Sequence, residues 1–231
     1  LVSSGHMGAA RKIPEYRFSL LNAAKDRAHR YFGQNSSGGR WAWQTVEDGS
    51  EMATPGFWIE HIFHLAHITL SAWYYYQFTG DENFLRDKGY PVIKAAAEFY
   101  QIQAVYKISE DRFIIGKCTD LERLGPAREN AFMTTCGVIA TFAAAVAAAE
   151  KLHVDRALAE KWSFLAEKLR QNLPVEDGRY VPYPECDQKS IAVFAGTFPY
   201  HVLAKDDPCQ KAAMTDYLEN ESEFGNMYPV G

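Results

Sequence analysis

Cys118-Thr-Asp-Leu-Glu-Arg-Leu-Gly-Pro-Ala-Arg-Glu-Asn-Ala-Phe-Met-Thr-Thr135 runs from a breaker-rich segment into a long apolar one, and its reading decides the fold. Gly125 and Pro126 stop any helix begun near Leu121. Asn130 is placed to cap a helix that starts at Ala131 and continues to Leu152, too apolar on every side to lie on a surface. Asp120, Glu122 and Glu129 therefore fall on irregular backbone at the mouth of a buried helix. Loops held by rigid elements are favoured positions for chemistry, so these acids are the candidate catalytic groups. The competing reading pairs them with Arg123 and Arg128 on the surface, where ion pairs are common and energetically slight.

Outward from this stretch the pattern is helical. Leu20, Leu21, Ala24 and Ala28 recur at helical steps and predict a one-sided helix over 16–31. A second helix is expected over 58–78, with Ile62, Leu65, Ala66, Thr69 and Trp73 on one stripe. Thr79-Gly-Asp81 ends it, and Asp81 or a neighbour caps a third, which pauses near Gly89-Tyr-Pro91 and resumes to Tyr106. Residues 106–116 read as a short hairpin or an extended connection. After the long helix, another is expected over 155–173 and a weaker one over 208–220. About six helices and no run of alternating strands make the chain all-α by the layer rules. Leu1–Met7 reads as the remnant of an expression tag, leaving 8–231 as a single domain.

The connections between helices are rich in Gly, Pro and aromatics and would collect at one end of a helical array. Trp41, Trp43, Trp58, Tyr180 and Tyr183 offer flat apolar faces for stacking on pyranose rings, with carboxylates and amides nearby for hydroxyls. Aromatics at helix ends also plug cores, which is the plainer alternative for each.

Composition excludes several classes. With 47% hydrophobic and 23% charged residues the chain is globular rather than disordered, and a net charge of −5 argues against a nucleic-acid partner. The long helix is dominated by Ala and interrupted by Thr134, Thr135, Gly137 and Thr141, a poor bilayer span, so no membrane association is expected. Cys118, Cys136, Cys186 and Cys209 lack C-x-x-C spacing and read as free structural thiols, which leaves the compartment open. Glu60, His61, His64 and His67 share a helix at three- and four-residue steps without the zinc His-x-x-x-His, so a hydrogen-bonded His row is expected and no metal or cofactor. Phosphate-loop, dinucleotide and Gly-x-Ser-x-Gly elements are missing from the sequence.

The order of features resembles the (α/α)6 toroid of glycoside hydrolase family 65 and its relatives. Tyr16-Arg17 resembles its Tyr-Arg helix, and Gly39-Arg-Trp-Ala-Trp-Gln-Thr45 with Asp48-Gly-Ser-Glu51 resembles its aromatic and Gly-x-Glu elements. Trp73 to Leu85, Gly89-Tyr-Pro91 and Ala97-Glu-Phe-Tyr100 are similar to its Tyr-Tyr, Thr-Gly-Asp, Phe-Leu and Ala-x-Phe-Trp run. The family carries its general acid in a Gly-Pro-Asp-Glu segment followed by Asn-Ala-Tyr-Thr-Asn; here Glu122 and Asn130-Ala-Phe-Met-Thr134 have the same separation, with Cys118-Thr119 in place of Gly-Pro. The resemblance implies Glu122 as proton donor. Glu129 stays open as its rival, because Pro-Ala-Arg-Glu-Asn resembles the Pro-Glu-Asn of other (α/α)6 glycosidases.

What the resemblance implies is an inverting glycoside hydrolase or phosphorylase acting on an α-linked oligosaccharide, with inorganic phosphate as co-substrate in the second case. Trp41, Trp43, Gln44, Trp58, Glu60, His61 and Asn130 would meet the sugar. Inversion needs a second group opposite the acid, with carboxyls roughly 6.5–9.5 Å apart when water attacks. Glu219, Glu221 and Glu223 are the carboxylates available late in the chain, and the base is otherwise expected outside it. The acid's pKa would have to be raised by aromatics or by Asp120. Only part of the ring is legible, so the chain reads as an internal portion of the catalytic domain, with its open apolar faces covered by another copy or by the rest of the ring. A noncatalytic carbohydrate-binding or helical-repeat module and a sugar epimerase or isomerase on the same scaffold are the alternatives.

Overall fold

The computed structural model of the chain describes residues 3–32 and 38–224, without the side chains of Tyr31, Phe32, Gln103 and Arg123. Two helices, α1 (Met7–Ser19) and α2 (Leu21–Phe32), stand where one was expected over 16–31. The break comes at Leu20, whose backbone leaves the helical region (φ −94°, ψ 8°) while its side chain enters the core. Met7, set aside with the tag remnant, begins α1.

Helix α3 (His64–Thr79) starts six residues later than its periodicity suggested. Residues Phe57–Glu60 form a 3-10 turn, and His61 is extended (φ −64°, ψ 131°), bridged in parallel to Thr119. Pairing with a segment distant in sequence overrides local helical preference here. At the other end Gly80 takes the left-handed conformation (φ 67°) and returns its N–H to the Tyr76 carbonyl, the usual stop for a helix. Asp81 then caps the next helix through Phe84 N–H at 2.9 Å, as its position predicted. That helix, α4, covers 82–104 as Glu82–Phe84, a π-turn over Leu85–Gly89, Tyr90–Phe99 and a second π-turn over Tyr100–Ala104. The expected pause at Gly89-Tyr-Pro91 is thus a widened turn, which suits a proline with no N–H to donate. Strands β1 (Val105–Lys107) and β2 (Phe113–Ile115) follow as the predicted antiparallel hairpin.

Helix α5 (Phe132–Leu152) buries residues on every side, whereas α6 (Arg156–Gln171) buries only the stripe Ala159, Trp162, Leu165, Ala166 and Leu169. Helix α3 also buries most of its circumference. The hairpins α3–α4 and α5–α6 therefore lie side by side, with α3 and α5 as an inner layer, α6 outside, and α5 packed on α3, α4 and α6. This is the inner-and-outer alternation of an (α/α)6 ring. Gly137 lets α5 approach α3, because a Cβ there would sit 3.0 Å from that of Ala66. Beyond α6, β3 (Val175–Glu176) and β4 (Arg179–Tyr180) pair across Asp177-Gly178, both with positive φ. Helix α7 (Pro208–Glu219) begins with Asp207 accepting from Gln210 N–H and Pro208 in the first turn.

Candidate functional site

The segment carrying the acids is a tied loop at the N-terminal mouth of α5. Its ends are joined where Cys118 and Arg128 exchange backbone hydrogen bonds of 3.1 and 2.8 Å. On one flank it is sewn to the turn before α3: Thr119 N–H donates to the Glu60 carbonyl and its hydroxyl to the Phe57 carbonyl at 2.7 Å. On the other, Asp120 Oδ1 accepts from the Thr134 N–H at 2.8 Å and from the Thr134 hydroxyl. Thr134 is in the first turn of α5, so the cap of this helix comes from a residue in the preceding loop.

Asn130 does not cap α5, contrary to expectation. Its own backbone is left-handed (φ 51°), and its amide Nδ2 donates to the Asn172 carbonyl at the end of α6. Asn is among the few residues that take this conformation readily. The side chain is buried, ties α6 to the loop and lies at the hollow that Glu129 lines rather than at the aromatic ladder.

Glu122 opens a 3-10 turn (Glu122–Leu124) and is half-buried beside the turn before α3. Its charge lies near enough to favour protonation of His61. His61 sits between two indoles, stacked on Trp43 (4.6 Å between centroids, 13°) and on Trp58 (5.9 Å, 20°). Trp58 is 38% exposed and forms the open face of this ladder, with Glu60 exposed next to it. Gln44 is exposed in the bend beyond Trp43. Glu51 shapes that bend, accepting from the Trp43 and Gln44 N–H groups at 2.7 and 2.9 Å.

Two expected residues fall elsewhere. Trp41 is a core side chain, 2% exposed, with its indole N–H on the Arg17 carbonyl, so its face is covered by protein. Glu129 is exposed on the far side of the Cys118–Arg128 bridge, in a separate hollow with Arg112, Tyr183 and Glu185. The structure thus brings together Glu122, Glu60, His61, Trp43 and Trp58, with Asp120 buried two residues before Glu122, and sets Glu129, Asn130 and Trp41 apart from the ladder. Arg128 pairs with neither acid: its Nε donates to the Leu124 carbonyl and its guanidinium covers the Tyr183 ring. The expected pairing of Arg123 lies outside the described side chains. Among the late carboxylates, Glu221 accepts from the Tyr217 hydroxyl and Glu223 pairs with Lys189, while Glu219 is exposed.

Burial dominates the electrostatics. Asp120 is fully buried, and desolvation pushes its carboxyl up to about 6, although the bonds from Thr134 and the nearby amides of Leu121 and Met133 pull the other way. Its Oδ2 has no hydrogen-bond partner among the described residues. Burial also lowers His61, whose Nδ1 faces the Trp58 carbonyl at 2.8 Å; the neutral ring carries its proton there, leaving Nε2 an acceptor. His64 is pushed down to about 3, with Nε2 on the Trp41 carbonyl, and His67 meets the Tyr200 hydroxyl at 3.1 Å. The His row is thus three histidines with three separate partners. Sequence reasoning missed Thr134, and the one signal for it was a Thr in the first helical turn facing a loop acid.

Residues 4–192 match the glycosyl hydrolase family 65 central catalytic domain. The chain belongs to glycosyl hydrolase family 65. A kojibiose hydrolase from Mucilaginibacter mallensis is 27% identical over 193 residues, covering 83% of this chain and 26% of that protein. A kojibiose phosphorylase from Caldanaerobacter subterraneus is 25% identical over 213 residues, covering 82% of the chain and 26% of the relative. The chain therefore spans about a quarter of the length of these family 65 relatives. A glycosidase solved in complex with glucose shares the fold, with a TM-score of 0.63 at 14% identity, over 91% of this chain and 53% of the other. The wild-type glycosidase superposes with a TM-score of 0.62 at 13% identity, over the same 91% and 53%.

Proposed function

We propose that the full protein cleaves an α-linked oligosaccharide or glycoside with inversion, by hydrolysis or phosphorolysis, and that Glu122 is its proton donor. The observation that carries this reading is the position of Glu122, a half-buried carboxylate beside the Trp43–His61–Trp58 ladder in a family 65 catalytic domain. Trp58 would stack on a sugar ring, and Glu60 would bond its hydroxyls. In the reaction the anomeric carbon–oxygen bond breaks, Glu122 protonates the departing oxygen, and water or phosphate adds from the opposite face. Relatives named for kojibiose, both hydrolases and phosphorylases, support a kojibiose-like disaccharide and either acceptor.

The test is turnover of kojibiose and other α-linked glucose disaccharides by the full protein, with and without phosphate, for wild type and Glu122→Gln. The expected result is loss of about 100-fold or more in kcat for the variant, the scale of a removed general acid. Undiminished turnover by Glu122→Gln would refute the assignment, and binding without turnover by the wild type would favour a carbohydrate-binding module.

A further inference from the structure

We infer that Asp120 is a positioning residue, which holds the Glu122 loop against the first turn of α5 through Thr134; this rests on the reading of Glu122 as proton donor. Several attachments hold the loop, and the one to the inner helix α5 runs through Thr134, which the Asp120 carboxylate and, at 3.7 Å, the Cys118 thiol both contact. The Cys118–Arg128 pair closes the loop on itself, and Thr119 fastens it to the turn before α3. Asp120 links it to α5, with both Thr134 donors converging on a single oxygen.

From Asp120 to Glu122 the chain has little freedom. Leu121 is extended (φ −76°, ψ 128°), and the next turn is closed by bonds from Leu124 N–H to the Leu121 carbonyl and from Gly125 N–H to that of Glu122. A shift of Asp120 is therefore passed to the Glu122 backbone two residues on. Asp120 itself is wholly buried among Thr134, Cys118, Cys136 and Tyr200. With no exposed surface it offers nothing for a sugar on Trp58 to touch, and so acts through its neighbour.

The arrangement also accounts for the unusual origin of the helix cap. Asn130, the local candidate, is committed to Asn172, which leaves the Thr134 N–H to the loop. Helix capping and loop placement thereby become one contact, and an acid placed by an inner helix inherits the rigidity of the ring. Positioning errors of about 1 Å can cost about 100-fold in rate.

The experiment uses leaving groups of different basicity on the full protein. Kojibiose, or whichever α-linked disaccharide is turned over fastest, needs protonation of its leaving oxygen; α-glucosyl fluoride departs as fluoride and needs it far less. Variants are Glu122→Gln, Asp120→Asn, Thr134→Val and Thr134→Ser, each checked for folding by circular dichroism. Expected is a loss in kcat of about 10- to 100-fold on the disaccharide for Asp120→Asn. Thr134→Val should show a smaller loss, Thr134→Ser should recover most of it, and the fluoride should change little, the same signature as Glu122→Gln.

Equal losses on both substrates for Asp120→Asn and Thr134→Val would overturn the inference, leaving a purely structural cap. Leaving-group selectivity in Asp120→Asn without it in Glu122→Gln would make Asp120 the donor and overturn both assignments. If Asp120→Asn does not fold, Thr134→Val, which keeps the backbone bond, decides alone by the same comparison.

Discussion

Replacing Asp120 by Asn removes a buried charge while keeping the shape of the side chain, and the consequence for stability can be worked out from its surroundings. The carboxyl sits at about 6 in the fold against an ordinary 3.8, because burial penalises the ionised form more than the Thr134 bonds support it. A gap of roughly two pH units at ~1.4 kcal/mol per unit amounts to ~3 kcal/mol. The folded state holds the proton more tightly than the unfolded state. Stability therefore falls as pH rises through the window from about 4 to about 6. The penalty is complete above that window and gone below it.

Asn carries no charge at any pH and escapes this penalty. Urea unfolding of both proteins at pH 4, 5, 6 and 7.5 gives the difference in stability at each pH. The difference should move in favour of the variant by ~2.5 kcal/mol between pH 4 and pH 7.5, the rest of the ~3 kcal/mol lying below pH 4. Any constant offset, from the Asn amide replacing Oδ2, cancels in this slope. A flat difference would mean that the Asp120 charge is well solvated or paired in the fold, and a slope of opposite sign would mean that it is net stabilised there. Either result refutes the argument from burial.

Two further outcomes follow from the packing. Gly137→Ala adds a Cβ at 3.0 Å from that of Ala66 and 3.1 Å from the Tyr200 ring, so crowding worth ~1–3 kcal/mol opposes a helix-propensity gain of ~1 kcal/mol. Thermal unfolding should show net destabilisation, and a raised melting temperature would show that α3 and α5 have room to spare. Asp81→Ala removes the cap on the first turn of α4 and should cost about 1 kcal/mol in urea unfolding, with no change expected for a cap already frayed in solution.

Much of the helical framework was legible because helices are encoded by neighbours. The period of Ala159, Trp162, Leu165 and Leu169 needs no knowledge of what the stripe faces, and Asp81 and Gly80 act on their own turn. The hairpin at 105–115 and α5 were readable for the same reason. The (α/α)6 architecture came through the ordered resemblance to family 65. The Asp177-Gly178 hairpin is equally local, an Asp-Gly pair with positive φ at both residues.

By itself, then, the sequence determined the helices, their inner or outer character and the crowding of acids and aromatics into the loops at one end. Tertiary structure alone decided which of those residues share a site. His61 is pulled out of the helical pattern by its bridge to Thr119, a pairing between segments far apart in the chain. Trp41 and Trp43 are two residues apart and would share a face on regular extended backbone, yet the chain bends at Trp43 and Gln44, so that one side chain faces the core and the other the His61 stack. Asn130 was the natural cap by sequence position, but its left-handed backbone turns the side chain to α6 and leaves that role to Asp120. Glu122 and Glu129 are chemically alike and close in sequence; the Cys118–Arg128 bridge between them places one beside the aromatic ladder and the other outside it. Such choices depend on contacts between distant segments, which no local pattern encodes.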